Sequence, residues 1–205
     1  MNYKAIIFYL GLFIFPLSGL AFINILYSSY FDFFLNIKSY VITLSLSLIF
    51  GFLLFRIGKN SSKKINFFEQ IFLIIFAYII VSLLISLPYY LNIYEISFID
   101  SVFESFSGVT LTGFTTFINI KQFDPTLILW RSSSQWIGGL YFFIFLMLIF
   151  SNKQLDFKLS NLTFLSDNIS SSQSNTGNII LKLLLIYVFT TSMIFIFLII
   201  SDIRL

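Results

Sequence analysis

The sequence predicts an all-α integral membrane protein with two leading helices, one helix–loop–helix unit whose loop is re-entrant, and one further helix. Its 205 residues are 58% hydrophobic and only 10% charged, and the mean hydropathy is +0.96. A soluble domain carries about 25% charged residues. A small water-soluble core does not bury this much apolar surface. Lipid is therefore the predicted solvent.

Five apolar stretches approach or exceed the roughly 20 residues that a bilayer-spanning helix needs. They cover residues 5–26, 40–55, 67–87, 127–150 and 179–200. The first follows Lys4, as a secretory signal would, but its apolar run is too long and no small-residue cleavage site follows. We therefore expect a leading two-helix hairpin (1–64), a helix–loop–helix unit (65–150), a cytoplasmic linker (151–178) and one further span (179–205).

Basic residues predict the orientation, because lysine and arginine concentrate in cytoplasmic loops. The basic residues that fall on one side of the predicted spans are Lys4, Arg56, Lys59, Lys63, Lys64, Lys153 and Lys158. This pattern predicts a cytoplasmic amino terminus. It also predicts that the segment 89–125, which is too polar to cross the membrane and too apolar for an aqueous loop, starts on the outer face.

Composition also limits the chemistry. The chain has no cysteine and no histidine, so Cys/His metal sites, disulfides and the commonest general base are all missing. An intramembrane enzyme would need polar groups clustered at one depth, and the spans offer few beyond Ser, Thr and Gln135. The net charge of +3 falls in membrane-flanking loops and does not predict nucleic-acid binding. We expect no enzyme and no cofactor.

The segment 89–125 contains a short predicted helix. Ser101 followed by Glu104 has the spacing of a capping box, which predicts a helix start at Ser101. Gly108 is a natural helix terminator. About eight residues rise only ~12 Å, which is less than half of the ~30 Å hydrocarbon core. Such a helix enters the membrane without crossing it.

The chain after this helix must return to the outer face without helical structure. Backbone at membrane depth persists only where it is buried in protein or lines a watery cavity. Residues 110–116 suit a cavity, because threonine and glycine are small, Gly113 permits positive φ, and successive carbonyls of an extended strand can replace the hydration shell of a cation. The carboxyl end of the short helix adds partial negative charge. Asp124 and Pro125 then suit the start of the fourth span.

Two sequence blocks carry a resemblance to a known family. They are FESFSGVTLTG at residues 103–113 and WRSSSQWIGG at residues 130–139. In this order and at this separation they resemble the first pore repeat of the TrkH/KtrB potassium transporters of the Trk/Ktr/HKT superfamily. Such an M1-P-M2 repeat consists of a membrane helix, a re-entrant pore loop and a second membrane helix. The two leading helices resemble those of the TrkH branch. The fifth apolar stretch resembles the first helix of a second repeat. The resemblance thus implies that residues 65–150 form the first repeat and that 179–205 form the first helix of an incomplete second repeat.

The resemblance implies potassium uptake through a pore that four such repeats surround. It places the selectivity filter, where backbone carbonyls hold K⁺, at Thr110, Leu111, Thr112 and Gly113. Phe114 stands where many members carry a small residue. The family also implies a homodimer, a cytoplasmic nucleotide-binding regulatory subunit and a bacterial inner membrane. Only one filter motif is present, so we expect a truncated or split member that works with the missing remainder of the transporter.

Several alternatives stay open at this stage. Glu104 either only completes the capping box of Ser101 or pairs with Arg131 behind the filter and braces it. Gly138 and Gly139 either bend the inner helix or pack it closely. The chain as a whole is alternatively a non-conducting structural or regulatory membrane protein that keeps the pore-loop shape. A sodium-permeable relative is a further alternative, because one filter strand does not separate K⁺ from Na⁺.

Overall fold

The computed structural model describes residues 2–60, 65–117, 123–150 and 176–201. These residues form six helices: α1 (Tyr3–Tyr30), α2 (Ile37–Gly58), α3 (Phe67–Tyr90), α4 (Phe98–Val109), α5 (Pro125–Phe150) and α6 (Thr176–Ile200). Among the described residues, α1, α2 and α3 are long and apolar enough to cross a membrane. The predicted all-α membrane fold is confirmed.

Polar residues at the helix starts explain why α1 and α3 begin where they do. The Asn2 side chain accepts a hydrogen bond from the Ala5 backbone N–H at 3.4 Å, which caps α1. At α3, Glu69 Oε2 accepts from the Asn66 backbone N–H at 2.8 Å, while Glu69 Oε1 accepts from the Asn2 backbone N–H. The buried Glu69 carboxylate thus ties the starts of the two helices together.

Glycines allow α1 and α2 to pack closely as an antiparallel hairpin. A Cβ on Gly58 would lie 2.5 Å from the Phe8 backbone nitrogen, and one on Gly11 would lie 2.7 Å from that of Phe55. Small residues permit such close backbone approach between membrane helices, where van der Waals packing drives association. The two leading helices therefore pack closely against each other.

The chain divides into two compact units, Met1–Gly139 and Leu140–Leu205. The first contains α1 to α4 and the beginning of α5. In the second, the ring of Phe143 lies 6.0 Å from that of Tyr187, which joins the end of α5 to α6. Most of the predicted cytoplasmic linker (151–175) and the basic residues Lys63, Lys64, Lys153 and Lys158 lie outside the described residues. The predicted division into four segments stays a prediction.

The short helix α4 starts earlier than the sequence predicts. Its N-cap is Ser97, whose Oγ accepts from the Asp100 backbone N–H at 3.1 Å and donates to Asp100 Oδ2 at 2.6 Å. Ser101 lies inside the helix and donates to the Ser97 carbonyl at 2.8 Å. The predicted start at Ser101 is wrong because two Ser-x-x-acid boxes follow each other, and the first one caps. With 12 residues, α4 rises about 18 Å.

We expect Ser97→Ala to destabilise the folded chain by about 1 kcal/mol, the usual cost of losing an N-cap side chain. Ser101→Ala keeps the cap and removes only a hydroxyl bonded to the preceding turn, so a smaller loss is expected. Denaturant unfolding of both variants in detergent measures the difference. An equal or larger loss for Ser101→Ala would restore Ser101 as the cap.

Candidate functional site

The chain leaves α4 through a tight turn just after Val109. Thr110 is the C-cap, and its backbone N–H bonds to the Phe106 carbonyl at 2.9 Å. Leu111 and Gly113 both adopt left-handed backbone conformations, with φ of 62° and 74°. A left-handed leucine costs roughly 1–2 kcal/mol, so the surrounding contacts must hold this turn in place.

Gly108 is not the helix terminator that the sequence predicts, because α4 continues to Val109. The space around Gly108 explains why glycine stands there. A Cβ on Gly108 would lie 2.2 Å from Ser134 Oγ on α5. Gly108 is therefore a close contact between α4 and α5.

Residues 110–117, which we call the filter segment, follow this turn. The segment has no regular secondary structure after Leu111, and residues 110–116 are all exposed. Leu111 is 49% and Phe114 70% exposed, whereas α4 behind them buries Ser105 and Ser107. The described part of the chain therefore presents this backbone on its surface.

Ser107 holds the filter segment against the last turn of α4. Its carbonyl accepts from the backbone N–H groups of Thr112 at 3.1 Å and Gly113 at 3.4 Å. Its Oγ donates to the Phe114 carbonyl at 2.5 Å. The main chain and side chain of one residue thus fix three successive residues of the segment.

Glu104 anchors the other end of the filter segment. Its side chain is fully buried, and Oε1 accepts from Thr115 Oγ1 and from the Thr116 backbone N–H at 2.7 Å. Oε2 accepts from Arg131 Nε at 3.1 Å. The alternative in which Glu104 only completes a capping box with Ser101 is wrong, because its carboxylate is turned to these partners and Ser97 caps the helix.

Arg131 joins Glu104 to the filter segment. Its Nη2 lies 3.3 Å from the Gly113 carbonyl and 3.4 Å from the Phe114 carbonyl. A buried charge needs a partner and full hydrogen bonding to avoid a penalty of several kcal/mol. The guanidinium and the two threonines supply this to the Glu104 carboxylate.

Only some backbone carbonyls of the filter segment accept hydrogen bonds. Those of Gly113 and Phe114 accept hydrogen bonds from Arg131, and Phe114 also accepts from Ser107. Across the ranges that the structure describes, no donor reaches the carbonyls of Thr110, Leu111 or Thr112. Three of the four predicted ligand carbonyls are thus unengaged, while that of Gly113 is shared with Arg131.

The start of α5 positions Arg131. The neighbouring Trp130 is 1% exposed, and its indole N–H donates to the Ile85 carbonyl of α3 at 3.0 Å. Two turns further on, a Cβ on Gly138 would lie 2.2 Å from the Val109 carbonyl oxygen. For Gly138 the structure therefore supports close packing, and α5 runs unbroken as a helix from Pro125 to Phe150. Gly139 is also buried.

The sequence does not predict the supporting roles of three residues of this site: Ser107, Thr115 and Thr116. The two threonines stand 11 and 12 positions after Glu104, beyond the end of α4, so the period of a single helix does not predict the contact. Ser107 carries no recognisable motif of its own. Only the turn after α4 brings them to their partners.

Together these features define a class: a multi-pass helical membrane protein in which a short helix and an exposed non-helical segment are held by a buried Glu–Arg pair. Comparison with known proteins agrees with this class. The chain is 37% identical over 91 residues to a cation transporter, MJ1485, of Methanocaldococcus jannaschii. The aligned segment covers 44% of this chain and 19% of that protein. No family model matches the chain.

Two potassium uptake proteins of Halomonas elongata are also similar. The Trk system potassium uptake protein TrkI is 38% identical over 64 residues (31% of this chain, 13% of that protein), and TrkH is 28% identical over 104 residues (50% and 22%). The resemblance to the TrkH/KtrB transporters is therefore confirmed over about half of the chain. The chain spans less than a quarter of the length of each of these relatives, of which one is named as a cation transporter and two as potassium uptake proteins.

Proposed function

We propose that the chain contributes one re-entrant selectivity-filter loop to a four-repeat pore for potassium uptake. The observation that carries this proposal is that the carbonyls of Thr110, Leu111 and Thr112, on an exposed segment at the carboxyl end of α4, accept no hydrogen bond within the described ranges. Carbonyl oxygens can replace the water around a cation, and the carboxyl end of a helix adds partial negative charge. The potassium uptake function of the Trk relatives supports the choice of ion.

In this proposal an ion sheds water at the filter and is held by the carbonyls of residues 110–113. The Gly113 carbonyl takes part although it accepts from Arg131, because a carbonyl oxygen has two lone pairs. Glu104 balances the charge of Arg131, so the guanidinium can brace the segment without a net positive charge behind the ion. The ion then passes down its electrochemical gradient, and no covalent step occurs.

A single filter segment cannot surround an ion, so the proposal needs partners. By resemblance, the other three filter strands come from the remainder of the transporter, in a homodimer with a cytoplasmic nucleotide-binding regulatory subunit. The same resemblance and the basic loops support a bacterial inner membrane and a cytoplasmic amino terminus. Lipid surrounds the exposed apolar faces of α1 to α3.

One observation favours a second candidate, a non-conducting protein that retains the pore-loop shape. The Gly113 carbonyl is already bonded to Arg131 at 3.3 Å in the isolated chain. If this bond persisted in the assembled protein, Arg131 and an ion would share the same carbonyl oxygen, and Gly113 would be a weaker ligand than the other three carbonyls. Ion flux separates the two candidates.

We expect Gly113→Asp to reduce potassium uptake about tenfold or more, because conduction requires ligands weak enough to release the ion. Growth of an uptake-deficient host at limiting potassium, together with rubidium influx, measures this loss. Gly113→Asn is the matched control, since asparagine has the same shape without the charge and also tolerates positive φ.

Uptake by the parent chain, alone or coexpressed with the remainder of a Trk-type transporter, is the reference for this comparison. If growth with Gly113→Asp equalled growth with Gly113→Asn and with the parent chain, the carbonyls of residues 110–113 would not line an ion path. The non-conducting candidate would then stand.

A further inference from the structure

A buried polar network links the amino-terminal ends of α2 and α5, outside the filter segment. We call Asn36, Tyr40, Asp124 and Thr126 the α2–α5 network. Asn36 and Asp124 are 2% and 6% exposed, and Tyr40 and Thr126 are fully buried. Neither the predicted filter nor its Glu104–Arg131 support uses these residues.

The network is a continuous chain of hydrogen bonds that ends on one carboxylate. Tyr40 OH donates to Thr126 Oγ1 at 3.2 Å, and Thr126 Oγ1 donates to Asp124 Oδ2 at 2.9 Å. Asn36 Nδ2 donates to the same Oδ2 at 3.3 Å. In the described ranges no lysine or arginine pairs with Asp124. Neutral donors from α2 and α5 therefore hold this buried charge.

The same residues also reach the loop that precedes α4. The Asn36 side-chain oxygen accepts from the Ile93 backbone N–H at 3.4 Å, and Tyr94 OH accepts from the Asp124 backbone N–H at 2.9 Å. One asparagine side chain of the leading hairpin thus contacts both the entry to α4 and the start of α5. These are the two helices that carry Glu104 and Arg131.

Helix α5 connects the network to the filter support, because it begins at the network and carries Arg131. Asp124 accepts from the Thr126 backbone N–H at 3.4 Å at the start of the helix, and Arg131 lies seven residues on, about two turns and ~10 Å along the same face. Between them, the ring of Tyr40 packs on Trp130 with 5.7 Å between centroids. Rotation or displacement of the start of α5 would therefore move the guanidinium that bonds Gly113 and Phe114.

We propose that Asn36 and Tyr40 of the leading hairpin are positioning residues for the filter segment. They act through Asp124 and Thr126, which fix the height and rotation of α5 and hence the place of Arg131. This inference rests on the proposed function for its importance to ion passage. The mechanical link itself concerns only the described contacts and is tested without ion flux.

A reciprocal exchange of side chains tests the link. Asn36→Asp sets two buried carboxylates against each other. We expect it to speed amide hydrogen exchange in residues 107–117 about tenfold, because local opening then costs less free energy. Asp124→Asn keeps a good N-cap and an amide partner, so about a twofold increase is expected. The double variant Asn36→Asp/Asp124→Asn restores one carboxylate and one amide, and its exchange should return to that of the parent chain.

Controls separate this link from general destabilisation. Ser45→Ala removes an exposed hydroxyl five residues after Tyr40 on α2 and should leave exchange in 107–117 unchanged. If Asn36→Asp speeds exchange throughout α1 as well, it destabilises the chain in general, and Tyr40→Phe becomes the test variant. Tyr40→Phe deletes one hydroxyl without changing the shape of the side chain. We expect Tyr40→Phe to raise exchange in 107–117 about twofold.

The outcomes are distinct from those of the transport experiment. Exchange in 107–117 that stays at the Ser45→Ala level in both Asn36→Asp and Tyr40→Phe overturns the inference. So does a double variant that opens as fast as Asn36→Asp. If the exchange results hold while Gly113→Asp leaves uptake unaffected, the link stands and the proposed function fails.

Discussion

Glu104→Gln is expected to lower the free energy of unfolding by about 3 kcal/mol, the largest effect of any single change in this site. The substituted glutamine keeps the shape of the side chain but has only one acceptor oxygen. In the parent chain Arg131, Thr115 and Thr116 all donate to the Glu104 carboxylate. The glutamine oxygen can accept from either Arg131 or the two threonines. The guanidinium, only 18% exposed, would keep its charge without its partner.

Unfolding in a denaturing detergent, followed by tryptophan fluorescence, measures this loss. The chain has two tryptophans, and one of them, Trp130, is buried next to Arg131. Glu95→Gln is the matched control, because it makes the same chemical change at an exposed position in the loop before α4. A loss no larger than that of Glu95→Gln would show that the buried carboxylate does not support the fold.

A double-mutant cycle with Arg131→Gln isolates the ion pair. Residues in direct contact show coupling energies of about 0.5–3 kcal/mol, and we expect a value near the upper end for this buried pair. Exchange of the two charges is a poorer test. An arginine at position 104 offers only donors to the Thr116 N–H, which now bonds Glu104 at 2.7 Å, so even a restored ion pair would rescue incompletely.

Gly138→Ala is expected to destabilise the chain by about 2–3 kcal/mol, because the added methyl group overpacks the contact between α5 and α4. Under the proposed function it should also reduce ion uptake. Its Cβ would lie 2.2 Å from the Val109 carbonyl oxygen and 2.8 Å from the Val109 carbonyl carbon. Backbone cannot move aside as a flexible side chain can. The end of α4 would have to shift, and the filter segment begins at the next residue.

Gly19→Ala is the matched control for this change. Gly19 also lies within a helix, α1, but among the described residues no atom from outside its own turn of helix stands within 4 Å of the place that an added methyl group would take. There the substitution should stabilise the chain by up to about 1 kcal/mol, the usual helix preference for alanine over glycine. Detergent unfolding of the two variants gives opposite signs if the contact is as described. A stabilising Gly138→Ala would contradict the close packing.

The membrane fold could be predicted from the sequence because the bilayer imposes a simple requirement. A spanning segment needs about 20 apolar residues and must satisfy its backbone hydrogen bonds internally. The apolar stretches at 5–26 and 67–87 therefore became α1 (Tyr3–Tyr30) and α3 (Phe67–Tyr90). The helices extend past the apolar residues because polar caps such as Asn2 lie beyond them.

The boundaries of α4 could not be predicted, because local signals compete. Ser97 and Ser101 each precede an acidic residue at capping-box spacing, and a local rule does not rank them. The choice depends on Glu104, whose carboxylate bonds Arg131 and the filter segment instead of completing a second box. Gly108 similarly carries the signal of a terminator, yet its contact with Ser134 of α5 explains it.

The sequence by itself determined the solvent, the helical class and the place of the unusual segment, since these depend on composition and on residues that are neighbours in the chain. Tertiary structure alone decided which groups support that segment. Glu104 and Arg131 are 27 positions apart, and Asn36 and Asp124 are 88 apart. Their pairing follows from helix packing, which removes charged and polar groups from solvent and leaves each one only the partners that the neighbouring helices bring within reach.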